Sequence, residues 1–331
     1  MKKILIIRFS SIGDIVLTTP VVRCLKMQLP DAEIHYLTKT ENHPLLQENP
    51  YISKIWLYQK NFKELLPLLR IENFDFIVDL HKNLRSFYVL LHLRRPYGTF
   101  RKLNVKKWMI VNLRIDLLPR IHIVDRYFGA MKSLGIHNHG KGLDYFIRPE
   151  EEVDVSFFPE SFGKGFIAFV IGGKHTTKIF PEEEAGALCR KISGPVVLLG
   201  GKEDEERGGR IGMLAGGAVF NACGLFSVNQ SASLIRRAEK VITNDTGMMH
   251  IAAAFSKSIL SIWGSTIPEF GMYPYMEGKA QATSFLSEVK GLPCRPCSKL
   301  GFDKCPKGHF RCMKEQDTDA MIRFLNRKDL S

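Results

Sequence analysis

The feature that most restricts how this chain can fold is a repeated exchange between two hydrophobic periodicities. "KKILIIRF", residues 2–9, is an unbroken apolar run of the kind a parallel strand buried on both faces requires, and "GDIVLTTPVVRCLKMQL" after it spaces its apolar residues as a helix does. The exchange continues through the strand-like "AEIHYLT", a short helical "ENHPLLQEN", the strand "SKIWLY", the helix "FKELLPLLRIEN" and the strand "FDFIVDLH". This alternation predicts a doubly wound α/β domain with a parallel sheet. Ligands of such sheets sit beyond the carboxyl ends of the strands, so the residues just after Ile7 and Val78 are the first candidates for function.

Acids, Pro and Gly gather in "PEEEVDVSFFPESFGKG", residues 149–165, where the apolar period fades and a linker is expected. A second α/β series follows: "FIAFVIGG", "PEEEAGALCRKI", "GPVVLLGG", "EDEERGGRIGML", "AVFNACG", "SVNQSASLIRRA" and "KVITND". The expected organisation is therefore one α/β domain over 1–158 and another over 159–331, the latter ending in an amphipathic helix from Thr318 to Leu330. A length of 331 residues is sufficient for a core in each. Two such halves imply a cleft that suits a small molecule. No fixed-period repeat or low-complexity tract points to a solenoid or a disordered interaction protein.

No stretch approaches the roughly 20 apolar residues of a membrane span. The apolar start is interrupted by Arg8 and Asp14 and reads as a buried strand rather than a secretion signal, so a cytoplasmic location is expected. The net charge of +13 asks for an anionic partner. From Lys82 to Arg126 eleven basic residues face only Asp116 and Asp125, so an anionic ligand is expected to meet the first half of the chain, unless the run is simply a solvated basic face. Nucleic acid is not expected as a partner, because no zinc-finger, RNP or helix-turn-helix signature accompanies the charge.

Four motifs lie just past predicted strands. "RFSSIGD", residues 8–14, offers a polar turn with Ser10, Ser11 and Gly13, and Asp14 is either a first-turn acid favoured by the helix dipole or a general base. It lacks the G-x-G-x-x-G spacing of a nicotinamide dinucleotide fingerprint. "IGGKHTTKIFP" brings Lys174 and Lys178 around two threonines and can neutralise a diphosphate, though it is not a Walker A motif. In "LGGKEDEERG", Glu203 is placed to accept a hydrogen bond from a ribose hydroxyl or merely begins an acidic helix. "VITNDTGMMHIAAAF" turns from strand to helix at Asn244, Asp245, Thr246 and Gly247, which either cap the helix or open its N-terminus to an anion. Parallel strands would bring the last three loops to one sheet edge, where a nucleotide diphosphate fits.

These motifs, with "RFSSIGDIVLTTPVV", "FDFIVDLHKNLRS", "HIVDRY", "TTKIFP", "ITNDTGMMHIAAAF", "IWGSTIP" and "PCRPCSKLGFDKCPKGHFRCM", resemble the lipopolysaccharide heptosyltransferases of glycosyltransferase family 9 over nearly the whole chain. The resemblance implies a GT-B fold of two Rossmann-like domains facing an interdomain cleft. It also implies an inverting, metal-independent transfer without a cofactor, from a nucleotide sugar such as ADP-heptose to the anionic lipopolysaccharide core. Asp14 then resembles the catalytic base, and Lys178 with Asp245, Thr246 and Gly247 the donor diphosphate site, Lys178 also assisting catalysis. Glu203 is similar to the ribose-binding acid, in uncertain register within the acidic run 203–206. Ser11 and Arg85 fall on the acceptor side. The sequence departs from the family there, with "DLHKNLRS" where many relatives have a Gln-Gly pair, which leaves the acceptor less defined than the donor class. Another nucleotide sugar remains the alternative. A lipid-anchored acceptor implies peripheral docking at the inner membrane surface.

Cys294, Cys297, Cys305 and Cys312 are spaced C-x2-C-x7-C-x6-C with His309 among them. The first pair suits a zinc knuckle, but a compact loop of unbound thiols is the competing expectation, and a disulfide is disfavoured in a reducing compartment. Cys24, Cys189 and Cys223 lie in apolar segments and are expected in the core.

Overall fold

Ile4, Leu5, Ile6 and Ile7 are completely buried because β1 (Lys3–Ile7) is the central strand of a parallel sheet covered on both faces. The computed structural model describes residues 2–327 and divides into two α/β units, the first built from residues 1–102 and 121–146 and the second from 103–120 and 147–331.

In the first unit β1 is followed by α1 (Ile12–Val16), α2 (Thr19–Gln28), β2 (Glu33–Lys39), β3 (Lys54–Tyr58), α3 (Leu65–Ile71), β4 (Phe76–Asp79), α4 (Leu84–Leu93) and β5 (Tyr97–Thr99). Periodicity predicts one helix from Gly13 to Leu29, and the chain makes two. Pro20 sits in the first turn of α2, where its missing N–H leaves no bond unmade, and the Thr18 and Thr19 hydroxyls donate back to the Ile15 and Val16 carbonyls at 2.7 and 2.8 Å. The strand order is β3-β2-β1-β4-β5, all parallel. Strand order reverses between β1 and β4, so their carboxyl ends form the switch point where ligands of such sheets bind.

The chain then contributes α5 (Asn104–Asn112) to the second unit. Ile110 and Leu118 bury against Ile267 and Phe270 there, the Lys107 ammonium lies 4.9 Å from the Phe270 ring centre, and Arg114 donates to the Pro296 carbonyl at 2.8 Å. The basic run Lys82–Arg126 is thus divided between the units. α6 (Ile123–Phe128) completes the first.

The second unit runs β6 (Ile167–Val170), α7 (Glu182–Lys191), β7 (Val196–Leu199), α8 (Glu205–Ala215), β8 (Val219–Asn221), α9 (Val228–Arg237), β9 (Lys240–Asn244), α10 (Gly247–Ala254), β10 (Ser258–Trp263), β11 (Ser284–Glu288), α11 (Arg311–Lys314) and α12 (Thr318–Asn326). Its six parallel strands are ordered β11-β10-β9-β6-β7-β8, with the switch point between β9 and β6. Phe169, Leu188, Leu198, Ile211, Ile242 and Leu260 form its core, and α12 adds Met321, Phe324 and Leu325. Each such side chain contributes about 1.5–3 kcal/mol by leaving water. The last positions of the expected terminal helix, 328–330, lie outside the described residues. The acidic stretch 149–165 forms short 3-10 turns, and its Phe158 ring packs edge-on to Phe220 with centres 4.9 Å apart.

Candidate active site

At the first unit's switch point, Arg8 leaves β1 and is buried. Its Nη2 lies 2.7 Å from Asp14 Oδ2, its Nε donates to the Ser10 carbonyl at 2.8 Å, and its Nη1 reaches the Leu80 carbonyl and the Tyr127 hydroxyl at 2.5 and 3.2 Å. The Ser11 amide and hydroxyl donate to the same Asp14 Oδ2 at 3.3 and 3.0 Å, so Ser11 and Asp14 close the start of α1 together. None of these contacts uses Oδ1. Burial works against a charged Asp14, yet the Arg8 charge and the Ser11 donors outweigh it and hold the carboxyl below its ordinary value.

The turn after β4 is organised by buried Asp79, which accepts from the His81 and Lys82 amides at 2.9 and 2.8 Å and from the Ser86 hydroxyl at 2.8 Å. Asn83 caps α4 through the Ser86 amide at 3.0 Å, and this leaves Arg85 exposed in the first helical turn. Lys82 donates to the Phe100 carbonyl and Lys102 to the Lys82 carbonyl, at 3.0 and 2.8 Å. His81 packs edge-on to Phe9. Burial and the charges of Arg8 and Lys102 push its imidazole down to about 4, so it is neutral at physiological pH. Its buried Nδ1 has no hydrogen-bond partner among the described residues. The sequence motifs include Arg8 and His81 but assign neither a role. A charged residue at the end of a wholly apolar run was a signal for Arg8, because a buried guanidinium demands acceptors.

In the second unit the loops after β6 and β9 meet. The Asn244 amide lies 3.3 to 3.4 Å from the carbonyls of Val170, Ile171 and Gly172, and its Oδ1 accepts from the Phe180 amide at 3.1 Å. Lys178 is thereby carried beside Asp245, its Nζ 2.5 Å from Oδ2 and 3.2 Å from the main-chain carbonyl, while the Thr266 hydroxyl donates to Oδ2 at 2.8 Å. Thr246 occupies the N-cap position of α10 and Gly247 its first residue. The Thr246 hydroxyl makes no capping bond, its neighbour being the Thr243 hydroxyl at 3.4 Å. The Asp245 side chain is thus committed to Lys178 and Thr266, and the amides at the start of α10 carry the positive dipole end suited to an anion.

Glu203 and Asp204 part company after β7. Glu203 is exposed, whereas Asp204 is buried, accepts from the Gly201 amide at 3.0 Å and pairs with Arg207 at 3.1 Å. Burial raises the Asp204 carboxyl, with Arg207 and the Gly201 amide opposing. Gly172 and Gly200 leave room for it: a Cβ there would come within 2.3 Å of Asp204 Oδ2 and 2.7 Å of its Cβ, respectively. Lys174 is exposed.

All seven cysteines are free, and Cys24, Cys189 and Cys223 are buried. Cys294 Sγ lies 3.8 Å from His309 Nε2 and Cys297 Sγ donates to the Cys294 carbonyl at 2.9 Å, but among the described residues no three His, Cys, Asp or Glu groups are arranged to hold a metal ion. The loop they occupy is tied to the lysine loop: the Thr177 hydroxyl accepts from the Phe302 amide at 2.7 Å and from the Ser265 hydroxyl at 3.0 Å.

Two parallel α/β sheets, each with polar loops gathered at its switch point, are the GT-B build of glycosyltransferases. The model of glycosyltransferase family 9 (heptosyltransferase) matches residues 63–299, and the chain belongs to that family. Lipopolysaccharide heptosyltransferase 1 of Campylobacter coli is 24% identical over 291 residues, covering 80% of this chain and 84% of the relative. The structure of a family 9 glycosyl transferase from Veillonella parvula DSM 2008 matches with a TM-score of 0.68 at 22% identity, covering 86% of this chain and 85% of that one. E. coli ADP-heptose lps heptosyltransferase II matches at 0.65 and 20%, with 95% and 98% covered. Among the described residues no helix is long and apolar enough to cross a membrane.

Proposed function

We propose that the protein transfers heptose from ADP-heptose to the inner core of lipopolysaccharide, with inversion and without a metal, at the cytoplasmic side of the inner membrane. The observation that carries the donor half is the start of α10, where Thr246 leaves the first amides uncapped and Lys178 stands beside them. Lys178 and the amides at Thr246 and Gly247 take the diphosphate. Asp245 positions Lys178, and Glu203 takes a ribose hydroxyl. The relatives' names supply the sugar and the acceptor.

In the reaction an acceptor oxygen attacks the anomeric carbon as the bond from that carbon to the β-phosphate oxygen breaks. The hydroxyl proton passes to Asp14 Oδ1, and ADP leaves with the bonding pair. Its growing charge is met by Lys178 and the α10 amides, which bind departing ADP more strongly than intact donor. Asp14 is a weak base at rest, but the hydroxyl becomes acidic as its oxygen bonds to carbon, so the proton can move late. Ser11, Arg85 and the cations around His81 suit the carboxylates and phosphates of the core. A screen of ADP-, GDP- and UDP-sugars with truncated lipopolysaccharide acceptors tests the assignment. Turnover with ADP-heptose alone is expected, and turnover with another donor overturns it.

A further inference from the structure

The outer face of α4 carries an apolar stripe of its own, alongside the exposed Arg85 and His92. Val89, Leu90 and Leu93 are buried, while Leu84, Phe87, Tyr88 and Leu91 recur at helical spacing on the other side, Leu84 being 86% and Leu91 54% exposed. A surface helix ordinarily shows one such stripe. Leu68 and Ile71 of the adjoining α3 are exposed too and widen the patch. At its far end lies an open groove of 630 Å³ lined by Arg70, Phe87, Leu91, Arg94, Arg95 and Tyr97. Among the described residues no carboxylate pairs with Arg70, Arg94 or Arg95. Arg95 bonds instead to the Asn73 side chain, and neighbouring Glu72 is held by Lys3 and Lys54 at 2.7 Å each. α4 itself carries no acid.

We propose that this face docks on an anionic lipid bilayer, the stripe entering the acyl boundary and the groove arginines meeting headgroup phosphates. Unopposed cations beside an exposed apolar stripe match a surface that is anionic outside and apolar within. A second copy of the chain fits less well, because a two-fold contact through this patch would bring the same arginines together. Nucleic acid would leave the stripe unused. The proposal rests on the transferase reading in one respect, the lipid-anchored acceptor. Arg85 lies in the first turn of the helix whose other end leads to Arg94 and Arg95, about 14 Å away along the axis, so docking through α4 would bring core sugars toward Arg85.

Each arginine near an anionic surface is worth about fivefold in partitioning, so three together give about a hundredfold. The test is co-sedimentation with phosphatidylglycerol–phosphatidylcholine vesicles and with phosphatidylcholine vesicles, at low salt and at about 1 M, where the screening length falls to about 3 Å. The wild-type chain is expected to bind the anionic vesicles at low salt and to keep a fraction bound at high salt. Neutralising the groove (Arg70→Gln, Arg94→Gln, Arg95→Gln) should lower partitioning about a hundredfold, and Phe87→Ser with Leu91→Ser should remove the salt-resistant fraction. Both variants should keep ADP affinity and transfer to a deacylated, water-soluble acceptor, while KM for a vesicle-borne acceptor rises. Three results overturn the proposal: vesicle binding unchanged in both variants, binding lost only on reversing Lys106 and Lys107, or a wild-type dimer in sedimentation that Phe87→Ser with Leu91→Ser dissociates. If no heptose reaches the soluble acceptor, the transferase reading fails while vesicle binding still decides the docking face.

Discussion

The Arg8 guanidinium lies 2.7 Å from the Asp14 carboxylate and is itself held by the Ser10 and Leu80 carbonyls and the Tyr127 hydroxyl. The acid proposed as base is therefore fixed in position by a cation that cannot swing away without losing three other partners. Fixed geometry and weak ground-state basicity come together here, and the variants below separate the two.

Asp14→Asn should keep the Ser11 contacts and lose the proton acceptor. Turnover is expected to fall by about 10²–10⁴-fold, the usual contribution of a general base, with ADP affinity changed no more than a few-fold. Single-turnover transfer and calorimetric titration of ADP measure the two quantities, and near wild-type turnover would remove Asp14 from the mechanism.

The depressed Asp14 carboxyl also sets a pH dependence. Its charged form persists below the ordinary carboxylate range, so the acid limb of kcat/KM should lie below the Asp reference of about 3.9. With Arg8→Met, burial is left without its main opponent and the limb should move upward. The same pair contributes stability that is fully present above the unfolded value and is lost as pH falls through the lower folded value. Rate profiles and acid denaturation of the two proteins should shift in the same direction. An acid limb that stays in place in Arg8→Met would mean that another group controls it.

Lys178→Ala should weaken ADP binding and lower kcat as well, since the lysine opposes more charge in departing ADP than in the intact donor. It also leaves Asp245 without its cation beside the anion site, adding repulsion. Equal ADP affinity in the variant and the parent would return the loop to a purely architectural role.

Much of the fold is legible in the sequence because its strands are buried on both faces and therefore nearly all apolar, as in "ILII" and "VVLL". β5 has only three residues and β10 is broken by Ser261, which falls beneath the Trp263 indole and accepts from it at 3.0 Å, so neither advertises itself. The candidate loops are legible by position, since each follows a strand. What each side chain does there is not. Four consecutive acids, 203–206, do not tell which one turns inward; the room for Asp204 is left by Gly200 in the same turn and by Gly172 after another strand. Pairing of Arg8 with Asp14 is likewise set by the path of the turn between them.

Glycines of opposite kinds give a stability test. Gly172→Ala forces a methyl onto Asp204 Oδ2, an overpacking expected to cost about 1–3 kcal/mol. Gly209 and Gly212 lie inside α8, where a Cβ would meet nothing within 4 Å, so Ala at either should stabilise by about 0.8–1.0 kcal/mol. Thermal denaturation of the three single variants is expected to order them on either side of the parent.

The Gly-Gly pairs that end β6 and β7 look like phosphate loops when read along the chain, but Gly172 and Gly200 serve as two walls of a slot for one carboxylate. A pattern built to find distant proteins of this build should therefore weight the joint occurrence of both pairs with an acid a few residues after the second, and give little credit to either alone. Such a pattern tracks a volume enclosed by the turns after two separate strands, so it would keep its power where the intervening helix α7 has changed in length.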